Sequence, residues 1–523
     1  MILLGLGGLE RNAAAAVARD GQLLAAVEQQ KVARNPTPGV LPMEAIRSCL
    51  ELAKAKATEV DVVAIARPFS SESELHLELR SRFPQARVVA AEHHTAHAAA
   101  AYYLSGFEQA TVLTLDRNGD FRCGARWRAE GTQLHLDKEL YYPDSVGDLY
   151  SRVTDLLGYR ANSEEHKVQW LSTAGQPVYG ALFEQIFPMR EDWSSHTDRH
   201  YFDGERMSRG GFSSRFYQGL GLADGAAVPE KLAADVAASL QASVEKIVLR
   251  LAGTGENLCV GGGLFLNPLV VEALERSGQY KNVYVQPSAG NAGTAFGALC
   301  IAWHQALGQS KRLQLGSFCL GPDYTNEEIK RVFENCKLRF QTLLSTDEIL
   351  AKAIDQLQRD RIVAWMQGRM EFGSRALGNR SILASPVNPY STENLNVYIK
   401  HREPFRKFAA SVPVEVASEY FEVGPNARYL ATVGRVRPAH REQFASAILG
   451  DDLVRVHTVA EEDNPLYWRL LHRAAEVFGM PVLYNTSFNL FGDPLVCTPR
   501  DAVRSFYSSG IDAMIAGYFF VEK

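Results

Sequence analysis

Hydrophobic and polar positions at the start of the chain group into alternating strand-like and helix-like runs. ILLGLG has the continuous apolar pattern of a buried strand. AAAAVARDGQLLAAVEQQ predicts two strands around a turn at Asp20-Gly21, because an Asp-Gly pair favours tight hairpin turns. A helix is predicted near residues 43–54 and a strand over VDVVAIAR. VVAAEHHTAHAAAAYYLSGF predicts a strand that continues into a helix ending near Gly106.

This first unit is repeated in pattern, although not in identity. TVLTLDRNGDFRCGARWRAEGTQLHL again gives strands around a glycine turn, and residues 229–255 are strongly helical. ENLCVGGGLFLN and KNVYVQPSAGNAGTAFGALCIAW each predict a strand followed by a loop of small residues. Two copies of such a unit are typical of a duplicated nucleotide-binding fold of the actin and sugar-kinase kind. Backbone N–H groups at such loops suit phosphate or ribose oxygens, and the candidates are Gly261, Gly262, Gly263, Asn267 and Asn291.

The pattern loosens between residues 305 and 345 and then resumes with the strands RIVAWM and PVLYN. We therefore predict a first domain over 1–310, a linker over 311–340 and a second α/β domain over 341–523. A chain of 523 residues is too long for one core, so two domains agree with its length.

Composition narrows the functional classes. The formal charge of −5 argues against a nucleic-acid or anionic-membrane partner for the whole molecule. No apolar run reaches the roughly 20 residues of a membrane span, and MILLGLGGLERN lacks the features of a signal peptide. The seven cysteines are scattered and form no CxxC pair. We expect reduced thiols in a cytoplasmic protein.

Three histidines occur within AEHHTAHAAAAYY. On a helix, His93 and His97 share one face while His94 points elsewhere, and this spacing is common for two ligands of one metal ion. Asp116, at the end of TVLTLD, could add a carboxylate. Two nitrogens and one oxygen suit iron(II), which we expect, or alternatively manganese or zinc. Histidines at the surface or in a helix cap remain the alternative.

Positive charge concentrates between residues 369 and 407, where seven cations stand against three acids, a net charge of +4. The arginines of GRMEFGSRALGNRSIL alternate with Gly, Ser and Asn, which suits backbone close to a ligand. Guanidinium groups match phosphate oxygens. We therefore predict a polyphosphate site, with Arg455 and the turn Tyr484–Asn489 as further candidates. The alternatives are a solvated basic face and, for the turn, a hydrogen-bonded corner.

HHTAH, GGGLFLN, GRMEFGSRALGNRSIL, KHREPFRKFAASV and NTSFNLFGDPLVCTP together resemble the NodU/CmcH-type O-carbamoyltransferases of nodulation-factor and antibiotic biosynthesis. The resemblance implies an actin-like (ASKHA) first domain, similar to tRNA threonylcarbamoyl transferases, that holds a metal ion. It also implies a YrdC-like second domain that forms carbamoyl-adenylate from carbamoyl phosphate and ATP with Mg²⁺. A small-molecule hydroxyl would then accept the carbamoyl group. The sequence leaves the oligomeric state open, a homodimer included.

Carried over by position, the resemblance assigns His93, His97 and Asp116 as metal ligands. The family's fourth ligand is an aspartate, where this chain has Asn291. The positions that hold carbamoyl phosphate and ATP correspond to Arg375, Arg380, Lys400, Arg406, Arg455 and Ser487.

The chain departs from the family pattern in the first domain. Besides Asn291, a His-Asp pair is replaced by Arg11-Asn12, Glu-Glu-Arg by Gln29-Gln30-Lys31, and Lys-Val-Met-Gly by Lys167-Val168-Gln169-Trp170. We expect these four changes to lie around the acceptor and metal site, and the acceptor to differ from the usual aminoglycoside or cephem types.

Two other functions remain open at this stage. One is carbamoyl transfer to a protein thiol, as in hydrogenase maturation. That reaction is expected to need acylphosphatase and zinc-finger segments, and this sequence shows neither pattern. The other is an adenylate-forming nucleotide-binding protein whose first domain is a non-catalytic scaffold.

Overall fold

The computed structural model describes residues 1–68, 72–188, 190, 193, 196–206, 209–490 and 492–523. The described residues form two five-stranded sheets followed by one ten-stranded sheet, with helices packed on their faces. The predicted mixed α/β class is confirmed.

The first sheet has the strand order β3-β2-β1-β4-β5. Its first three strands are antiparallel, and β1, β4 and β5 are parallel. The strands are β1 Ile2–Gly7, β2 Ala14–Arg19, β3 Gln22–Glu28, β4 Val62–Ala66 and β5 Arg87–Ala91. The helices of this part are α1 Gln29–Ala33, α2 Met43–Leu52, α3 Glu72–Arg82 and α4 His93–Tyr103. The predicted Asp20-Gly21 turn joins β2 to β3, and the helix expected near 43–54 is α2.

The second sheet repeats this arrangement, with the order β8-β7-β6-β9-β10. Three antiparallel strands are again followed by two parallel ones. The strands are β6 Gln109–Gly119, β7 Arg122–Glu130, β8 Gln133–Tyr141, β9 Gly255–Gly261 and β10 Tyr280–Val285. The helices are α5 Val146–Leu156, α6 Glu165–Ser172, α7 Gly180–Ile186, α8 Ser214–Gly219, α9 Glu230–Ala252, α10 Pro268–Arg276 and α11 Thr294–Ile301. The shared order confirms the predicted duplication.

Helices α4 and α11 pack against each other between the two sheets. Helix α4 lies on β6 and β9, whereas α11 lies on β1 and β4. A Cβ atom at Gly297 would lie 1.8 Å from the carbonyl oxygen of Ala96, so the two backbones are in direct contact. The alanine run after the histidines is therefore a packing feature, because only small side chains permit this approach.

The third sheet has the order β11-β20-β19-β12-β13-β18-β14-β17-β16-β15. Its strands are β11 Gln341–Thr342, β12 Val363–Met366, β13 Arg380–Ala384, β14 Ala409–Pro413, β15 Phe421–Glu422, β16 Gly434–Val436, β17 Leu453–Val459, β18 Leu483–Ser487, β19 Ala513–Ala516 and β20 Phe519–Glu522. The helices are α12 Asn326–Asn335, α13 Thr346–Gln358, α14 Ser391–Asn394, α15 Ala417–Tyr420, α16 Pro465–Phe478 and α17 Pro499–Tyr507. A π-helical turn, Leu395–Lys400, continues α14.

The segment predicted as a linker contains α12, whose Ile329 and Phe333 are buried in the core on one face of the third sheet. The division into domains stays a prediction. Among the described residues, no helix combines the length and hydrophobicity that crossing a bilayer requires.

The two halves of the chain contact each other through buried polar groups. Lys31, at α1, is buried and donates to the carbonyl oxygens of Glu371 (3.0 Å) and Gly373 (2.6 Å). It also forms an ion pair with Glu28, which accepts from the N–H of Gly373 (3.0 Å). This contact fixes the loop that precedes Arg375.

Candidate active site

The start of α4 is fixed by Glu92, its N-cap. The carboxylate of Glu92 accepts from the backbone N–H groups of His94 (3.1 Å) and Thr95 (2.8 Å), which a helix start leaves unpaired. The carboxylate also pairs with Arg122. These contacts set where the histidine side chains of the first turn lie.

Asp116 faces the two histidines from a bulge in β6, where pairing with β7 shifts register between Leu115 and Gly119. Its Oδ2 atom lies 3.0 Å from Nε2 of His93 and 3.3 Å from Nε2 of His97. One ligand atom from each of the three residues lies within 4.8 Å of the others.

The donor geometry fits a divalent metal. Nδ1 of His93 lies 3.2 Å from the carbonyl oxygen of Arg67 and can donate to it, which leaves Nε2 free to coordinate. Among the described residues, Nε2 of His97 is buried without a hydrogen-bond partner. Burial opposes ionisation of Asp116, but the hydrogen bond with His93 and the nearby ring of His97 outweigh it and hold the pKa of this carboxyl well below its ordinary value.

His94 has a different role from its neighbours. Its Nδ1 lies 2.9 Å from Oγ1 of Thr114, and its Nε2 lies 3.1 Å from the carbonyl oxygen of Arg122. Both ring nitrogens are therefore used in packing α4 onto the second sheet. Burial lowers the pKa of His94 well below its ordinary value, so the ring is neutral.

A cavity of about 440 Å³, which we call the Asp116 cavity, opens beside this cluster. It is lined by Arg11, Asn12, Asp116, Arg117, Gly147, Tyr150, Ser151, Asn162, Ser163, Glu165, His166, Gln169, Gly263, Leu264, Leu266, Gly290, Asn291, Ser374, Arg375 and Arg406. Asn291, the proposed fourth ligand position, thus faces the same space as Asp116. The cavity draws on both halves of the chain.

Of the residues predicted to bind phosphate or ribose in the glycine-rich loop after β9, only Gly263 lines this cavity. Gly262 has φ of 103°, and a Cβ atom there would lie 2.2 Å from the carbonyl oxygen of Leu115. Gly263 lines the cavity. Asn267 instead caps α10, accepting from the N–H of Leu269 (3.1 Å). Gly261 approaches the carbonyl of His97 and does not belong to the described lining of the Asp116 cavity.

A second cavity of about 630 Å³, the Lys400 cavity, adjoins the first. It is lined by Arg160, Ser163, Glu164, His166, Lys167, Lys400, Arg402, Arg406, Ser487, Asn489, Leu490, Gly492 and Asp493. The Nζ atom of Lys400 donates to the carbonyl oxygens of Ser487 (2.5 Å) and Asn489 (2.9 Å) and to Oδ1 of Asn489 (2.8 Å). The predicted Lys400 and Ser487 therefore lie together.

The cations at these cavities repel one another electrostatically. Burial and then the charge of Arg406 lower the pKa of Arg375 to about 10 and that of Arg402 to about 9. Burial, followed by the charges of Arg402 and Arg406, lowers the pKa of Lys400 well below its ordinary value. Such a cluster is stabilised by bound anions, which relieve the repulsion.

Arg380 and Arg455 are the two predicted ligand-binding arginines that lie behind the cavity walls. Neither belongs to the lining of the two cavities in the described structure. Arg380 is fully buried, and its guanidinium donates to the carbonyl oxygens of Gln367 (2.7 Å) and Gly368 (2.9 Å). Arg455 stacks on the ring of Trp170, 5.2 Å from its centroid. Burial and then the charges of Arg375, Arg402 and Arg406 lower the pKa of Arg455 well below its ordinary value, so this arginine lies close to the cationic cluster. Arg375, Lys400, Arg406 and Ser487 line the cavities themselves.

Three of the four departures from the family pattern contribute to the Asp116 cavity, and one does not. Arg11, Asn12, Gln169 and Asn291 line the Asp116 cavity as expected. Gln29 and Lys31 do not: Gln29 accepts from the N–H of Ala45 (2.9 Å), and Lys31 joins the two halves. The expectation that all four changes surround the acceptor site is therefore wrong for this segment.

Ser163, His166 and Arg406 line both cavities. Burial and then the charges of Arg406 and Arg375 lower the pKa of His166 to about 3, so its ring is neutral between the cavities. The sequence prediction assigned no role to His166, and it included Arg402 and Asn489 only as members of the predicted polyphosphate site. Arg402 lies in the basic cluster and Asn489 in the NTSFN turn, so their motifs were visible, whereas no pattern marked His166.

Family comparison agrees with this geometry. Residues 70–300 match the carbamoyltransferase N-terminus and residues 354–523 match the carbamoyltransferase C-terminus. The first match contains the His–Asp cluster, and the second contains Arg375, Lys400, Arg406 and Ser487.

Relatives extend over most of the chain. An uncharacterised protein of Synechocystis is 32% identical over 100% of this chain and 96% of its own length. Nodulation protein NolNO of Sinorhizobium fredii is 31% identical over 100% of this chain and 83% of its own. The 3'-hydroxymethylcephem-O-carbamoyltransferase of Amycolatopsis lactamdurans is 31% identical over 50% of this chain and 48% of its own.

Component A of (R)-2-hydroxyglutaryl-CoA dehydratase from Acidaminococcus fermentans is a solved structure with 17% identity and a TM-score of 0.36, covering 59% of this chain and 99% of that one. At this score the likeness supports no conclusion about function. The two family matches and the relatives that span the chain show that this protein belongs to the carbamoyltransferase family of enzymes.

Proposed function

We propose that the protein is an ATP-dependent O-carbamoyltransferase that forms carbamoyl-adenylate in the Lys400 cavity and transfers the carbamoyl group to a small-molecule hydroxyl in the Asp116 cavity. The observation that carries the proposal is the shared lining of the two cavities by Ser163, His166 and Arg406. An intermediate made in one cavity therefore forms next to the other.

In the first step, water attacks carbamoyl phosphate and releases inorganic phosphate and carbamate. A carbamate oxygen then attacks the α-phosphorus of ATP, and the bond to pyrophosphate breaks. This step brings several anions together, and Lys400, Arg402 and Arg406 supply fixed positive charge against their repulsion. Carbamoyl phosphate and ATP with Mg²⁺ are the substrates proposed for this half, which we take to be YrdC-like.

In the second step, the acceptor hydroxyl attacks the carbamoyl carbon, the bond to the adenylate phosphate breaks, and AMP leaves. Arg375 and Arg406 lie where they can bind the phosphate of the leaving AMP. A divalent metal held by His93, His97 and Asp116, with Asn291 nearby, would polarise oxygens of the adenylate. Two nitrogens and one oxygen suit iron(II), manganese or zinc.

The orphaned Nε2 of His97 supports an active first half over a scaffold. A buried ring nitrogen without a partner costs folding free energy, which coordination of an ion would recover. We therefore favour the transferase over a protein that only forms adenylate.

The test uses purified protein with carbamoyl phosphate and ATP labelled at the α-phosphate. We expect release of pyrophosphate and a labelled carbamoyl-adenylate, both of which require carbamoyl phosphate. The Lys400→Met variant should lose both products, whereas His97→Ala should release pyrophosphate and fail to carbamoylate an acceptor. If wild-type protein releases no pyrophosphate and forms no adenylate, the proposal is wrong.

A further inference from the structure

The end of the Asp116 cavity at the β1–β2 turn presents a positive charge, Arg11. Its charged neighbours are Glu165, Arg117, Asp116 and Arg160. Arg11 therefore lies at the end of the cavity near the His–Asp cluster, where the acceptor hydroxyl would react.

The backbone holds Arg11 in a fixed place. Its N–H donates to the carbonyl oxygen of Gly8 (2.8 Å), and Asn12 adopts a φ of 61°. Gly8 has a φ of 64°, and a Cβ atom there would lie 2.6 Å from the carbonyl of Asn12. The turn is tight, so the guanidinium is delivered to the cavity by a constrained loop.

In the part of the chain that the structure describes, Arg11 makes no ion pair or side-chain hydrogen bond, unlike the charged groups around it. Arg117 donates to Asp148 (2.9 Å), and Glu165 accepts from Oγ of Ser151 (2.7 Å). Glu165, the carboxylate with the strongest electrostatic influence on Arg11, does not lie within ion-pair distance of it among the described residues. The guanidinium of Arg11 is free to bind a ligand.

The net charge of the Asp116 cavity lining also favours an anionic ligand. Its lining includes four guanidinium groups, on Arg11, Arg117, Arg375 and Arg406, against the two carboxylates of Asp116 and Glu165. Arg375 and Arg406 lie on the side that faces the adenylate. At the opposite end, Arg117 is paired with Asp148 and Asp116 faces the two histidines, whereas Arg11 has no ion pair among the described residues. Arg11 would therefore repel an ammonium group on the acceptor and attract an anion.

We propose that the acceptor is an anionic hydroxyl compound, a phosphorylated or carboxylated polyol or sugar, whose anionic group binds Arg11. This inference rests on the proposed function, because it concerns the acceptor of the transfer step. A single charge-assisted contact of this kind corresponds to about a tenfold preference over the neutral analogue.

The experiment compares matched probes that differ in charge: glucose 6-phosphate or gluconate against glucose, and 3-phosphoglycerate or glycerate against glycerol. Dissociation constants are measured by calorimetry with saturating carbamoyl phosphate and a non-hydrolysable ATP analogue, so that the Lys400 cavity is filled. We expect about a tenfold tighter dissociation constant for the anionic member of each pair. The phosphate and carboxylate probes show which anion is preferred.

The Arg11→Gln variant should abolish this preference, and Arg11→Lys should keep part of it. Arg128→Gln is the matched control, because Arg128 is an exposed arginine of β7 that does not line the Asp116 cavity, and this variant should keep the full preference. Equal affinity for charged and neutral probes would overturn the inference. So would an anion preference that survives Arg11→Gln.

Pyrophosphate release by wild-type protein is measured in parallel. If it is absent, the proposed function fails. If it is present while the anion preference is absent, only the inference about the acceptor fails.

Discussion

Lys400 donates hydrogen bonds to both oxygen atoms of Asn489, the backbone carbonyl at 2.9 Å and Oδ1 at 2.8 Å. Oδ1 of Asn489 also accepts from Oγ of Ser487 (2.7 Å). One amide side chain therefore orients two groups of the Lys400 cavity, and Asn489 is a positioning residue.

Replacing Asn489 should alter adenylation through Lys400. We expect Asn489→Ala to lower pyrophosphate release by about tenfold, since Lys400 and Ser487 lose a shared partner. The lowered pKa of Lys400 means that its ammonium charge is lost as pH rises through that pKa. The carboxylate of Asn489→Asp should raise this pKa and move the alkaline limb of the pH–rate profile to higher pH. An unchanged profile would show that Asn489 does not act through Lys400.

Replacing His97 should reduce metal binding, whereas replacing His94 should reduce the stability of the fold. His97→Ala should lose bound metal, measured by elemental analysis of protein purified without added chelator. His94→Ala should lower the free energy of unfolding by about 2 kcal/mol, because Thr114 and Arg122 lose a buried partner. Metal retained by His97→Ala at the wild-type ratio would contradict the assignment.

Arg380 should matter for stability more than for chemistry. Arg380→Lys replaces the guanidinium fork, which donates to the carbonyls of Gln367, Gly368 and Pro322, by a single ammonium group that cannot reach all of them. We expect a loss of about 3 kcal/mol in the free energy of unfolding. Arg406→Lys should change stability by less than about 1 kcal/mol while lowering pyrophosphate release. Urea denaturation measures the free energy of unfolding of both variants. Equal stability of the two variants would place Arg380 in a role like that of Arg406.

The close contact between α4 and α11 predicts that Gly297 cannot be replaced by a larger residue without a loss of stability. Gly297→Ala would place a methyl group against the carbonyl of Ala96, and we expect a loss of about 3 kcal/mol or more in stability. Gly180→Ala is the matched control, because a Cβ atom there meets nothing within 4 Å. That variant should be neutral or slightly stabilising. Similar urea midpoints for both variants would argue against a close helix pair.

Buried neutral histidines should weaken the fold in acid. Burial lowers the pKa of His457 to about 3, whereas the unfolded value is about 6.5. Stability from this residue is full above pH ~6.5 and is lost as pH falls towards the folded pKa, since only the unfolded chain takes up the proton. His457→Gln should reduce the slope of unfolding free energy with pH by about 1.4 kcal/mol per pH unit below pH 6. The exposed His135→Gln should leave the slope unchanged.

Local sequence patterns were sufficient to predict most of the strands of the first two sheets. The Asp20-Gly21 turn, the strand into α4 and the repeated unit all depend on near neighbours in the chain, so the sequence predicted them. The cluster of His93, His97 and Asp116 was also accessible, because helical spacing and a strand end define it. Its geometry agrees with that prediction.

Residues whose role depends on distant contacts were not predictable in this way. Arg380 lies in a glycine-rich arginine motif suited to phosphate, yet its guanidinium is used on backbone carbonyls inside the core. Arg455 meets Trp170 only through the packing of the two halves. Lys31 looked like an acceptor-site change, but it contacts the loop of Glu371 and Gly373.

The buried ammonium of Lys31 limits how this enzyme can be recombined. Its partners Glu371 and Gly373 sit just ahead of Arg375, so a first half taken from a relative must bring a side chain of matching length and charge at this position. A chimera that breaks this match would leave the buried carbonyl groups of Glu371 and Gly373 without their donor. Acceptor range is therefore better altered by point changes in the turn around Arg11 than by exchanging whole halves.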